Sequence, residues 1–306
     1  MHPVIFIVGP TASGKSDVSL LLAQGLNAEI ISADSMLVYR EPSIITSKPS
    51  GAMLNKVAHH FVGTISVREI YSVFDYFRSS TELIRSLYFK GKPVIVCGGS
   101  GLYIKAIIDG IFEGSGRNDK LRQALQKSAD IYGKQYLYQE LEKVDRSAAK
   151  RISPGDLRRI IRALEVYYQT GMPISQKQSL SFGLWGDLPI RIFGLRLNRR
   201  NLYRRIEERV DRMFAQGAVD EVEALRQQDL SLTAGKIIGV KEIGELLEGK
   251  VNQDQARLNM KKNTRHLAKR QITWFKKDKR IEWIDIDDLT LENINDEILR
   301  RINTDV

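Results

Sequence analysis

The stretch Gly9-Pro10-Thr11-Ala12-Ser13-Gly14-Lys15-Ser16 constrains this chain more than any other. It fits G-x-x-x-x-G-K-[ST], a loop whose backbone amides close around phosphate oxygens. The flanks have the order that this mechanism requires. Residues 3–8 are a short apolar run of buried-strand type, and residues 17–26 carry apolar side chains at helical spacing. A helix that starts at the loop adds partial positive charge to the site. All eight residues are therefore expected to hold a di- or triphosphate, with Lys15 on the outermost phosphate and the Ser16 hydroxyl on a bound Mg²⁺. An ordinary glycine-rich turn between strand and helix is the bland alternative.

Further strands are expected at residues 28–34, 93–97 and 190–197, and helices at 71–89, 102–108, 156–168 and 201–225. Strands alternating with helices predict an α/β fold with a parallel sheet flanked by helices, a P-loop NTPase-like core. From 114 to 186 strand-like runs disappear and amphipathic helices with basic faces take over. The expected organisation is a catalytic core of residues 1–113 and 187–306, interrupted by a helical insertion domain at 114–186. Ligands of parallel sheets bind at the carboxyl ends of strands. The phosphate loop, Asp34 and Ser100 all fall at such ends, so three separate stretches converge on one place.

Each candidate carries more than one reading. Asp34 could hold Mg²⁺ through water, act as a general base, or cap a turn. Ser100 could present its hydroxyl to a ligand or cap a helix. Arg205 and Arg209, four apart, share a helix face and could stabilise a leaving group, or simply be solvated. His59-His60 read as hydrogen-bonding residues, and Cys97, the one cysteine, as a buried structural thiol. A net charge of +10 suggests a polyanionic partner, and the basic-aromatic run at 261–280 suits a nucleic-acid surface. No apolar run approaches the roughly eighteen residues of a membrane span, and the first residues enter a strand without a signal-peptide pattern. A cytoplasmic, monomeric protein without membrane contact is expected. Two classes remain on these grounds: a P-loop kinase of a nucleotide or small molecule, or a transferase using a diphosphate substrate on a nucleic acid.

The ordered series of motifs goes further. Gly9–Ser16 is followed by Asp34-Ser35-Met36-Leu37-Val38-Tyr39, Ser47-Lys48-Pro49, His59-His60 and Gly98-Gly99-Ser100-Gly101-Leu102-Tyr103. Then come Arg158-Arg159-Ile160-Ile161-Arg162, Ile238-Gly239-Val240-Lys241-Glu242 and Arg265-His266-Leu267-Ala268-Lys269-Arg270-Gln271-Ile272-Thr273-Trp274-Phe275. Across nearly its whole length the chain resembles the tRNA dimethylallyltransferases, also called tRNA isopentenyltransferases, of bacterial type. The resemblance implies transfer of a dimethylallyl group from dimethylallyl diphosphate to the exocyclic amine of the adenosine 3′-adjacent to the anticodon. The loop would then hold a diphosphate leaving group with Mg²⁺ rather than ATP, and the tRNA would enter through its anticodon stem-loop. Matched by position, Asp34 is the general base, Ser35, Met36 and Leu37 surround the flipped adenine, and Ser100 supplies a hydroxyl at the reacting centre. Arg122, Arg158, Arg159, Ile160, Ile161 and Arg162 match tRNA-contacting segments, as do Lys236, Ile237, Ile238, Gly239, Val240 and Lys241. Ser100 stands where threonine is usual, and Leu37 where many members have glutamine.

Overall fold

In a computed structural model, residues 2–113 and 116–304 are described. The segment limits expected at 1, 114 and 306 lie outside the described residues. Six strands form one parallel sheet: β1 (Val4–Val8), β2 (Glu29–Ser32), β3 (His59–His60), β4 (Val94–Gly98), β5 (Ile190–Arg196) and β6 (Ile281–Asp285). Their spatial order is β3-β2-β4-β1-β5-β6. β1 lies in the middle, with Ile5 opposite Ile95 on one side and Arg191 on the other.

All five β1 residues are at most 1% exposed, a continuous apolar run rather than an alternation. That is the pattern of a parallel strand covered on both faces. On one face Ile5, Ile7, Ile95 and Phe193 meet Val18 and Leu22 of helix Lys15–Leu26 and Ile298 of helix Leu291–Asn303. On the other, Phe6, Val8 and Val96 meet Ile84 of helix Val73–Phe89 and Ile107 of helix Gly101–Asp109. A third core joins Val38, Tyr39 and Ile45, which follow β2, to Val210, Val222 and Met260 of three later helices. The loop after β2 is thereby held over the strand ends.

The chain divides into two compact units: the chain up to Ile108 together with Leu184 onward, and Asp109–Gly183. The second is helical, with Leu125, Leu137, Leu141, Ile160 and Leu164 in its core. Its helices Asp119–Tyr132, Arg146–Ala149 and Leu157–Thr170 start at Asn118, Asp145 and Asp156, whose side chains accept the first free amides. Among the described residues no helix is long and apolar enough to cross a membrane.

Several elements differ from expectation. The single helix expected at 201–225 is two, Arg199–Ala215 and Ala218–Arg226. Gly217 between them adopts φ +93°, a left-handed conformation that ends a helix. β3 was not expected as a strand, and β6 was not expected at all. It pairs along β5 from Ile192–Ile281 to Arg196–Asp285.

Candidate active site

After β1 the chain turns through Gly9 at φ +149° and Gly14 at φ +84°, then enters the helix at Lys15. The Lys15 ammonium donates to the Pro10 carbonyl at 2.6 Å. Burial lowers its pKa to about 8, with Arg209 acting the same way and Cys97 and Asp34 opposing it. Ser16 follows in the first helical turn and is exposed. Both residues line a cavity of about 540 Å³ at the carboxyl ends of the strands.

The ends of β2 and β4 are tied together beyond the sheet. Ala33 N–H donates to the Cys97 carbonyl at 2.8 Å, and Ser100 N–H to the Ala33 carbonyl at 3.1 Å. The Ser100 hydroxyl accepts from Ser35 N–H at 3.0 Å and donates to Ser35 Oγ at 3.2 Å. Asp34 Oδ1 accepts from Met36 N–H at 2.9 Å, a turn that leaves the carboxylate on the cavity wall. Asp34 therefore both caps its own turn and faces the cleft. Ser100 stands behind Ser35, the neighbour of Asp34, and its hydroxyl supports that residue rather than lining the cavity.

Helix Arg199–Ala215 supplies the facing wall. Arg205, Glu208, Arg209, Arg212 and Gln216 recur at helical spacing and all line the cavity. Arg209 donates to Thr11 Oγ1 at 3.0 Å and to the Thr46 carbonyl at 3.4 Å. Burial pulls its pKa down while Asp34 pulls it up. Arg205 reaches to 3.8 Å from where a Gly14 β-carbon would lie. Lysines 15 and 48 and these three arginines outnumber Asp17, Asp34 and Glu208 on the walls, so the cleft favours an anion.

The other expected residues fall into distinct settings. Leu37 lines the cavity, while Met36 packs on the third core. In the helical unit, Arg122 and Arg162 both bind Glu165, at 2.8 and 2.6 Å. Burial alone would raise the Glu165 pKa; hydrogen bonds from Arg122, the Asn118 amide and Arg162 outweigh it and hold it at about 2. Arg158 and Arg159 are exposed, whereas the Ile160 and Ile161 side chains are in the core. Lys236 and Lys241 are exposed, Ile237 is buried, and Ile238 and Val240 flank the third core. Gly239, at φ +112°, starts helix Val240–Leu247. His59 Nδ1–H donates to the Val57 carbonyl at 2.8 Å, and His60 meets Glu29 at 2.7 Å. Trp274 is partly exposed, and Phe275 is core.

Several residues of the site were not singled out from sequence. Lys48 and Gln271 line the cavity, and Glu221 fastens the loop that carries Lys48. Only Lys48 had a signal, as a cation between Ser47 and Pro49. Among the described residues no cluster of three His, Cys, Asp or Glu side chains could hold a metal. The oxygens of Ser16, Asp17 and Asp34 on the cavity wall still fit Mg²⁺, which takes one or two protein oxygens and completes its shell with phosphate and water.

Comparison with known proteins matches residues 37–278 to the family described as IPP transferase. A tRNA dimethylallyltransferase of Natranaerobius thermophilus is 43% identical, over 98% of this chain and 91% of its own. The full-length tRNA isopentenylpyrophosphate transferase of Bacillus halodurans superposes with a TM-score of 0.71 at 34% identity, covering 99% of this chain and 98% of that one. A eukaryotic dimethylallyltransferase, solved as crystallographic snapshots acting on tRNA, gives 0.81 at 28% identity, covering 98% and 78%.

Proposed function

The chain belongs to the IPP transferase family and is a tRNA-modifying prenyltransferase, and we propose that it moves a dimethylallyl group from dimethylallyl diphosphate to the exocyclic amine of the adenosine 3′-adjacent to the anticodon. The observation that carries this reading is one cavity lined by the phosphate loop, Asp34, Arg205 and Arg209. The bond from the allylic carbon to the diphosphate oxygen breaks as the nitrogen–carbon bond forms, and the amine proton goes to the Asp34 carboxylate.

An adenine amine is a weak nucleophile because its lone pair is delocalised into the ring. Removing its proton during bond formation is therefore worth a positioned base. The loop amides and Lys15 bind the diphosphate, and Arg205 and Arg209 meet the charge that grows on it. Each such donor contributes about 3–4 kcal/mol to lowering the barrier. Mg²⁺, when bound at Ser16, would neutralise further charge on the leaving group. An adenosine in an anticodon loop can leave its stack to enter the cleft, which a duplex base does only at a cost. The exposed Arg158, Arg159, Lys236 and Lys241 serve the tRNA backbone. The enzyme works as a monomer in the cytoplasm, where tRNA is found.

The test is incubation with labelled dimethylallyl diphosphate and unmodified tRNA, with the labelled nucleoside identified after digestion. Label on the adenosine beside the anticodon is the expected result. Label left on the donor, together with tRNA-stimulated ATP hydrolysis, would replace this reading with a kinase.

A further inference from the structure

The side-chain amide of Gln271, on helix Gln253–Phe275, joins two parts of the site that lie far apart in sequence. Its Oε1 accepts from the Thr11 backbone N–H at 2.8 Å, and its Nε2 donates to the Gly99 carbonyl at 3.0 Å. One partner can only donate and the other only accept, so a single orientation of the amide satisfies both. Gln271 is 9% exposed, and water substitutes poorly for hydrogen bonds made there. A β-carbon at Gly99 would lie 2.3 Å from Nε2, so the turn carries glycine where the amide comes close.

What hangs on the two ends is the reaction machinery. Thr11 belongs to the phosphate loop, and its hydroxyl receives Arg209. Gly99 precedes Ser100, which holds Ser35 beside Asp34. We propose that Gln271 is a positioning residue that fixes the spacing between the diphosphate loop and the Asp34–Ser100 turn. It touches no reacting atom and moves no proton. The inference rests on the reading above, in which the loop holds the leaving group and Asp34 takes the proton. A misplacement of about 1 Å between such groups costs about 10²-fold in rate, so one amide holding both is worth its place.

The experiment compares the parent protein with Gln271→Glu and Gln271→Met, using dimethylallyl diphosphate and unmodified tRNA across pH. The introduced carboxylate keeps the shape and can still accept from Thr11, but it faces the Gly99 carbonyl with no proton to give. Burial beside that oxygen raises its pKa, and once protonated it satisfies both partners again. The ratio of variant to parent kcat is expected to be down about 10- to 100-fold near pH 8, as for a buried unsatisfied acceptor. It should recover several-fold as pH falls to about 5.5, with tRNA affinity unchanged throughout. Gln271→Met, similar in volume and uncharged, should lose about tenfold at every pH with no recovery. A ratio for Gln271→Glu that stays flat with pH means the residue merely packs, and overturns the proposal. If that variant does not fold, parent-like kcat in Gln271→Met overturns it instead. Labelled tRNA from the parent alongside either result leaves the functional reading standing; no label from the parent overturns both.

Discussion

Lys15 shows how one largely desolvated side chain sets a pH window. Its pKa of about 8, against an ordinary 10.5, arises first from burial. Between those values the unfolded chain binds the proton that the folded chain has lost, so stability rises with pH across the window. The burial cost is fully present below about 8. For catalysis the proposed role of Lys15 reverses the sign, because only the ammonium would bind a diphosphate. The kcat/KM for dimethylallyl diphosphate should therefore fall on the alkaline side with an apparent pKa near 8. Lys15→Arg should abolish that limb, since a guanidinium stays charged; an unchanged limb in this variant would assign it to another group. Asp34 makes a complementary case on the acceptor side. Asp34→Ala should lower kcat by at least about 10²-fold while leaving tRNA affinity near the parent value. Equal loss of affinity in a filter-binding assay would make Asp34 a binding group instead.

Among the elements, the loop after β2 has the most to do with the cleft and the least regular structure. Thr46, Ser47, Lys48 and Pro49 line the cavity from it. Its rigidity comes from Glu221 on helix Ala218–Arg226, whose carboxylate accepts from Ser43 N–H and Oγ at 2.7 Å, Ile44 N–H at 2.8 Å and Ile45 N–H at 2.9 Å. Glu221→Ala should cost about 2 kcal/mol in urea unfolding, since these bonds end on a charge. It should also raise the KM for the prenyl donor, because the wall bearing Lys48 loosens; an unchanged KM would show that the wall holds its shape without the clamp. This clamp marks where sequence reading stops. The phosphate loop and the strand ends at Asp34 and Ser100 were legible because a few consecutive residues carry their geometry. Glu221 and Gln271 act across 178 and 172 residues of chain respectively, and nothing local distinguishes them from helix-surface glutamate or a glutamine in a basic run. β6 was missed for a related reason. Its short Ile281–Asp285 run mixes acids with apolar residues and becomes a strand only by pairing with β5. Gly217 was visible in the sequence, but the arginine spacing that marked the helix, Arg204 to Arg212, lies wholly before it and carries no information on the break it makes.

At the scale of the whole molecule, the question is which of its many cations are available to a polyanion and which are consumed internally. Arg122 and Arg162 are consumed, since Glu165 beneath them is fully buried and needs both. With its pKa held at about 2, Glu165 contributes stability that is fully present above the ordinary 4.5 and lost as pH falls toward 2. Glu165→Ala should thus destabilise the helical unit by about 1.5–3 kcal/mol, as expected where hydrogen bonds to a charge are lost, read as an early transition in thermal unfolding. Arg159 and Lys241 are in the opposite situation. Their side chains are 64% and 79% exposed, and their contacts to Asp156 at 3.4 Å and Glu245 at 3.7 Å are long intrahelical pairs, which are worth little in water. A tRNA phosphate can outcompete such a carboxylate at small cost. Replacing Arg159 or Lys241 by alanine should weaken tRNA binding and lower the slope of log affinity against log salt by about one unit each, since a neutralised phosphate adds about 0.7 on single strands and about 0.9 on duplex. Replacing Arg122 should instead lower the stability of the helical unit, and affect binding only through that loss. Titrating tRNA across a salt series for all three variants separates the two kinds of arginine. Parent-like slopes for both Arg159→Ala and Lys241→Ala would mean that the exposed cations of these two segments are ordinary surface, and that tRNA is held by other charges.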